Sequence, residues 1–392
     1  MPSQIHRSGQ NSATIANPEG TICDSQPAVP LKNQLPIKTG SEQPEPVDSP
    51  LLKIHSLLNN FLSFRQLSDR LEDLPAQFQQ PQMRPWQLIN WQAIDPSLII
   101  GITPQVYLAV LQGCMNIEAP IHSYSHTSWQ YLQQLYPEMA RFVGGMRSAD
   151  GTLVEMGLWE KEERQHAPVL RRLYKQLAGQ PPQSIKLRAK EYKPSGDRHQ
   201  DLFRHGLHRT TTEYGATCLY LWLMAHSTGA LRDLMVELFR DEVNHMTKFL
   251  GFGLWAFPGS RVALTPIFGR LFTIGLAQIK RSWWVNLRTS ESEPKPIAPS
   301  QEILRSTDSD QQCDRNSTRT FRPPTNNLFD TFTHVMGLVG WRSWSWPNRL
   351  ELIWVFVIVL WRLRCWSRSL SDIYLQDLFG IPPLANQSQQ AN

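Results

Sequence analysis

The sequence predicts an all-α body, and three observations carry that expectation. Apolar residues recur at spacings of three and four over long stretches, as one face of a helix requires. Two-residue alternation is missing, so neither strands nor hairpins are expected. Stretches rich in Pro, Ser and Gln fall outside the periodic region rather than within it. Helical segments are predicted near 51–74, 104–118, 127–143, 153–177, 202–226 and 230–257, with no repeat of solenoid length.

The punctuation divides the chain of 392 residues into four parts. Residues 1–48 lack an apolar run and read as a disordered leader without a secretory signal. Residues 49–289 form the helical domain. Residues 290–327, again rich in Ser, Pro and Asn, read as an unstructured linker, and 328–392 as a C-terminal helical extension. Five cysteines, Cys23, Cys114, Cys218, Cys313 and Cys365, are scattered singly. That argues against a disulfide framework or thiolate zinc site and favours a reducing, cytoplasmic compartment. A formal charge of +5 is too weak to point to nucleic acid.

The chemistry sits on the helices. "RDEVNH" (240–245) places Glu242 three residues before His245, and "WEKEERQH" (159–166) repeats the spacing with Glu163 and His166. At that spacing the two side chains lie side by side on one helical turn. Each copy has a further acid just before its Glu: Glu162 and Asp241. Between the copies, "TTTEYGATCLYLWLMAH" carries Glu213 ahead of an almost unbroken apolar run. Upstream, "LQGCMNIEAPIHSY" carries Glu118 at the end of another apolar helix, although Glu138 and Glu155 also precede the first pair. Taken singly, most of these would be solvated acids or ordinary hydrogen-bonded histidines. Glu213 is harder to dismiss, because an unpaired buried acid is costly.

The order Glu, Glu-x-x-His, Glu, Glu-x-x-His, one element per helix, is the ligand arrangement of ferritin-like di-iron carboxylate bundles. Carboxylates suit hard iron or manganese, and a single imidazole per metal leaves positions open for dioxygen. Four carboxylates balance two divalent ions, so their burial leaves no large unpaired charge. The fold class expected is therefore a ferritin-like four-helix bundle with extra helices.

Residues 100–258 resemble the soluble di-iron acyl-carrier-protein desaturases. "MNIEAPIHSY" is similar to their first-ligand helix, "WEKEERQH" to their Trp-containing acid-Glu-x-x-His helix, and "RDEVNH" to their Asp-Glu-x-x-His helix. The resemblance implies two irons, with manganese as the alternative. Glu118 and His166 would serve one ion, Glu213 and His245 the other, and Glu163 and Glu242 would bridge. Glu162 and Asp241 would accept the free ring N–H of a ligand histidine and fix its tautomer.

The chain departs from that family in three places. The hydroxyl that helps handle dioxygen stands three residues after the third-helix Glu in the desaturases. Here Ala216 occupies that place and Thr217 follows it, a spacing that resembles bacterial di-iron hydroxylases. Thr217 is the candidate catalytic hydroxyl, with a bond to its own helix backbone as the alternative. Pro168 follows His166 by two, which predicts a kink or an early helix end. The chain past 290 matches nothing in those enzymes.

Two regions bear on partners. Arg171, Arg172, Lys175, Lys186, Arg188, Lys190 and Lys193 make the connection after His166 basic, suiting an acyl carrier protein or an acidic electron donor such as ferredoxin; a plain solvated loop is the alternative. The apolar core Leu352–Trp361 falls short of the ~20 residues needed to cross a bilayer. Its flanking Trp and Arg suit either peripheral membrane contact or a helix closing the bundle, and closure is preferred. The function expected is dioxygen-dependent desaturation of an acyl chain, then hydroxylation. A homodimer is compatible with either. The competing class is a ferritin-like metal-binding protein with no organic substrate.

Overall fold

The computed structural model describes residues 50–118, 121–182, 197–203, 209–257, 332 and 335–380. The leader at 1–48 and the linker at 290–327 lie outside the described residues, as do Lys186, Arg188, Lys190 and Lys193. All described residues belong to one unit, Asp48–Asn392.

The body is helical, as expected. Twelve α-helices are described: α1 (Pro50–Phe61), α2 (Phe64–Glu72), α3 (Leu74–Gln79), α4 (Pro104–Glu118), α5 (Ile121–Leu132), α6 (Pro137–Gly144), α7 (Leu158–Ala178), α8 (Arg198–Asp201), α9 (Arg209–Ala225), α10 (Gly229–Ala256), α11 (Trp346–Ser369) and α12 (Asp372–Phe379). The segments predicted at 51–74 and 127–143 are each broken. Ser63 caps α2 by accepting from the Gln66 N–H, and Pro137 opens α6, where its missing donor costs nothing.

Two expectations are corrected. A short antiparallel hairpin, β1 (Met146–Arg147) with β2 (Leu153–Glu155), interrupts the helices. Its turn is Asp150–Gly151, where Gly151 has φ +84° and the Asp150 carboxylate accepts from the Thr152 N–H at 2.9 Å. Pro168 does not end α7, which runs on to Ala178 and stops at Gly179, in the left-handed region at φ +69°. Leu170, Leu173 and Leu177 are buried on the far side of the proline, and that packing outweighs the lost hydrogen bond.

Four helices form a closed ring of neighbours: α4 packs on α7, α7 on α10, α10 on α9, and α9 on α4. Only three residues separate α9 from α10, so the two run antiparallel. Nearly all of α9 is buried, which explains why its sequence shows almost no polar face.

The C-terminal α11 lies against α9, with further contacts to α1 and α2. Leu352, Val355, Phe356, Val359, Leu360, Leu363 and Trp366 are buried, and the Tyr214 hydroxyl donates to the Phe356 carbonyl at 2.6 Å. No helix among the described residues is long and apolar enough to cross a membrane.

Candidate metal centre

Each helix of the ring contributes to one buried cluster. Glu118 comes from α4, Glu163 and His166 from α7, Glu213 from α9, and Glu242 and His245 from α10, and none of the six is more than 4% exposed. Glu138 is exposed, and Glu155 pairs with Arg141 at 3.2 Å and Lys161 at 3.7 Å. Of the three candidates for the first position, only Glu118 enters the cluster.

The six residues fall into two groups with ligand atoms all within 4.8 Å of one another. One comprises Glu118, Glu163, His166 and Glu242, the other Glu163, Glu213, Glu242 and His245. Glu163 and Glu242 are shared, so they stand where bridging carboxylates would. His166 Nδ1 lies 3.0 Å from a Glu242 oxygen and 3.3 Å from Glu163. His245 Nδ1 lies 2.8 Å from Glu163 and 3.6 Å from Glu213.

The opposite ring edges explain why these contacts point to a cation. His245 Nε2 lies 2.8 Å from Glu162, and His166 Nε2 lies 3.3 Å from Asp241. A neutral imidazole donating at Nε2 keeps a lone pair at Nδ1. That lone pair, aimed at carboxylate oxygens, is repulsive unless a proton or a metal ion lies between. His166 Nδ1, His245 Nδ1, Glu163 Oε1 and Glu242 Oε1 are buried with no hydrogen-bond partner among the described residues. A carboxylate-rich set with one nitrogen per position is the donor chemistry of iron or manganese rather than of thiolate zinc. Each of the two groups could hold a metal ion.

The acids preceding each pair work crosswise. Glu162 of α7 holds the histidine of α10, while Asp241 of α10 holds the histidine of α7. A strap without regular structure ties the two acids together. The Arg84 N–H donates to Glu162 at 2.9 Å, its guanidinium to Asp241 at 2.7 Å and to Glu237, and the Trp86 indole to Asp241 at 2.7 Å. Sequence reasoning missed Arg84, Trp86 and Glu237. It also missed Tyr220, whose hydroxyl donates to Glu118 at 3.0 Å. Replacing Arg84 by Ala leaves the buried Asp241 without its guanidinium and Glu237 with Arg240 alone, at 3.2 Å. The expected loss is about 3 kcal/mol of stability, read by denaturant unfolding.

The metal-free cluster takes up protons. Burial, then the neighbouring Glu163, pushes Glu118 up to about 7. Burial, with Glu163 and Glu118, pushes Glu242 well above the usual carboxylate range. Burial opposes the charged form of both imidazoles, but Glu163 beside His166 and Glu162 beside His245 lead a set of acids that hold both well above the ordinary value. Metal ligation needs the deprotonated forms, so protons compete. Metal affinity is expected to fall as pH is lowered, the imidazole protons competing first and the Glu118 proton joining below about 7, about tenfold per unit for each proton displaced, as read by metal titration at several pH values.

Thr217 is fully buried, and its hydroxyl has no partner among the described residues, its own helix backbone included. A small pocket, with enclosed room for about one water molecule, reaches the cluster. Its lining includes Glu118, Glu163, Glu213 and Glu242 together with Ile117, Tyr124, Arg209, Thr212 and Ala216, but not Thr217. Comparison with family models, curated proteins and solved structures returned no match.

Proposed function

We propose that the chain is a ferritin-like dimetal oxidoreductase that uses dioxygen on an organic substrate, with iron as the metal and manganese as the alternative. The observation that carries this reading is the pair of four-residue groups sharing Glu163 and Glu242. Glu118 and His166 would hold one ion, Glu213 and His245 the other, and Glu163 and Glu242 both. The bound pair would supply two-electron reduction of dioxygen and an oxidant able to attack an unreactive C–H bond.

The protein's own residues prepare that chemistry. Glu162 and Asp241 fix both imidazoles with Nδ1 inward. Burial keeps bulk water from the cluster, while the cavity leaves an approach for small molecules. Thr217, one turn from Glu213, offers a hydroxyl with no competing bond.

Acyl-chain desaturation is the first specific choice, on the resemblance to the acyl-carrier-protein desaturases, and hydroxylation the second. In desaturation the substrate gives up two protons and two electrons, as two hydrogen atoms. Reducing dioxygen to two waters then takes two more electrons and two protons from outside. The five cysteines are scattered and form no cluster motif, so a separate donor such as ferredoxin fits. The exposed Arg171 and Lys175 of α7 would present positive charge to such a donor or to an acyl carrier. The competing reading is metal storage without an organic substrate, which a long apolar tunnel beside the metals would argue against and a polar ion path would favour.

The test is metal analysis of the purified chain, followed by optical and Mössbauer spectroscopy of the reduced protein mixed with dioxygen, with and without acyl carriers. About two irons per chain and rapid oxidation are expected. Retention of a single redox-inert ion, or indifference to dioxygen, sinks the proposal.

A further inference from the structure

Arg209 is a cation that the cluster does not explain. It opens α9, one helical turn before Glu213, so the two side chains share a face. It lines the cavity with the four carboxylates, yet it is only 7% exposed. Its guanidinium lies over the Tyr124 ring, 4.2 Å from the centroid. Among the described residues it makes no hydrogen bond or ion pair, and its Nε is buried with no partner.

A buried arginine normally has its donors filled, because desolvating an unpaired guanidinium is costly. Burial here works against the charged form, and the charges of Tyr124, Glu213 and Glu163 offset it only in part. The face against Tyr124 is covered, which leaves the hydrogen-bonding edge for whatever enters. Of the charged residues lining the cavity, four carboxylates would be cancelled by two divalent ions, leaving Arg209 as the excess charge. A single negative charge would complete the balance.

We propose that Arg209 is the anion-binding end of the cavity and that the substrate is a small organic acid whose free carboxylate pairs with it. This rests on the dimetal reading and changes its substrate class from a carrier-bound thioester to a free acid. The planar fork of the guanidinium matches a carboxylate bidentately. One helical turn is about 5.4 Å along the axis, so the bond facing the metals would lie within a few carbons of the acid group. Ile117, Ala216 and Tyr124 supply the apolar wall beside it, and the enclosed space holds about one water, so the side chains at its mouth would have to move apart to admit the acid's carbon skeleton.

The test uses the full-length, metal-loaded chain with benzoate and hexanoate as probes and benzamide and hexanamide as neutral controls. Binding is read by calorimetry and by the change in the metal-centred spectrum. Both acids are expected to bind and to perturb the spectrum, with the amides at least about tenfold weaker. Arg209→Gln should lose that preference while keeping the wild-type metal stoichiometry, and Arg209→Lys should keep part of it. A wild-type protein that holds two metals but ignores the acids, or binds acid and amide alike, overturns this proposal and leaves the dimetal reading standing. Unchanged acid binding in Arg209→Gln overturns it too. A chain that takes up no metal overturns both.

Discussion

Glu163→Ala is expected to strip both metal ions from the chain, and Glu242→Ala to do the same. Each of these residues belongs to both four-residue groups, so neither position keeps its full set of ligands without it. Glu118 and Glu213 belong to one group each. Glu118→Ala should therefore weaken the position of His166, and Glu213→Ala that of His245, leaving about one ion per chain. His166→Ala or His245→Ala should likewise lose one or both. Glu138→Ala and Glu155→Ala change only an exposed acid and a half-exposed ion pair, and should keep both ions. Removing one acid from a crowded metal-free cluster relieves repulsion, so the helices should survive and loss of metal will not be mistaken for unfolding. The measurement is metal per chain after desalting, with circular dichroism as the folding control. If Glu163→Ala keeps two equivalents, the bridging assignment is wrong. If Glu138→Ala empties a position and Glu118→Ala does not, the first helix has been misassigned.

What could be read in the sequence was the part encoded locally. The two Glu-x-x-His pairs are visible because three-residue spacing on a helix fixes which side chains adjoin. Glu213 stood out because the apolar run after it left the acid no solvent. The acids before each pair were readable as histidine partners, but not their crosswise assignment, which depends on how α7 faces α10. Arg84 and Trp86 could not be found this way. Arg84 bonds to residues 78 and 157 positions away, and it sits on a strap with no periodicity to mark it. Arg209 heads an apolar helix, where one basic residue looks like a boundary. The hairpin was passed over although Asp150–Gly151 is a turn signal, because strands this short show no alternation.

Deleting residues 341–370 is expected to give a chain that aggregates and no longer holds metal. The segment covers α9, the helix that carries Glu213 and Thr217. Trp344 stacks on Trp222 at 5.3 Å, Phe356 meets Tyr214 edge to face at 5.5 Å, and the Trp366 indole donates to Ser68 at 3.1 Å. Glu351 reaches His226, just past the end of α9, at 2.5 Å. Just upstream of the deletion, a Cβ on Gly113 of α4 would lie 2.6 Å from Val339, so the chain approaches the ring closely there as well. Removing the segment would expose Tyr214, Trp222 and their neighbours as one broad apolar face, and such faces drive association. A smaller cut gives the same answer in graded form. Phe356→Ala is expected to lose about 3–5 kcal/mol, read by denaturant unfolding of the otherwise intact chain. The outer side of α11 still carries Trp346, Leu350 and Trp361, each 40% exposed or more, which is the pattern that suggested a membrane surface. Both roles can be separated by fractionation. If the truncated chain is monomeric, metal-loaded and merely released from membranes, then α11 is an anchor and the ring of α4, α7, α9 and α10 does not need it for closure.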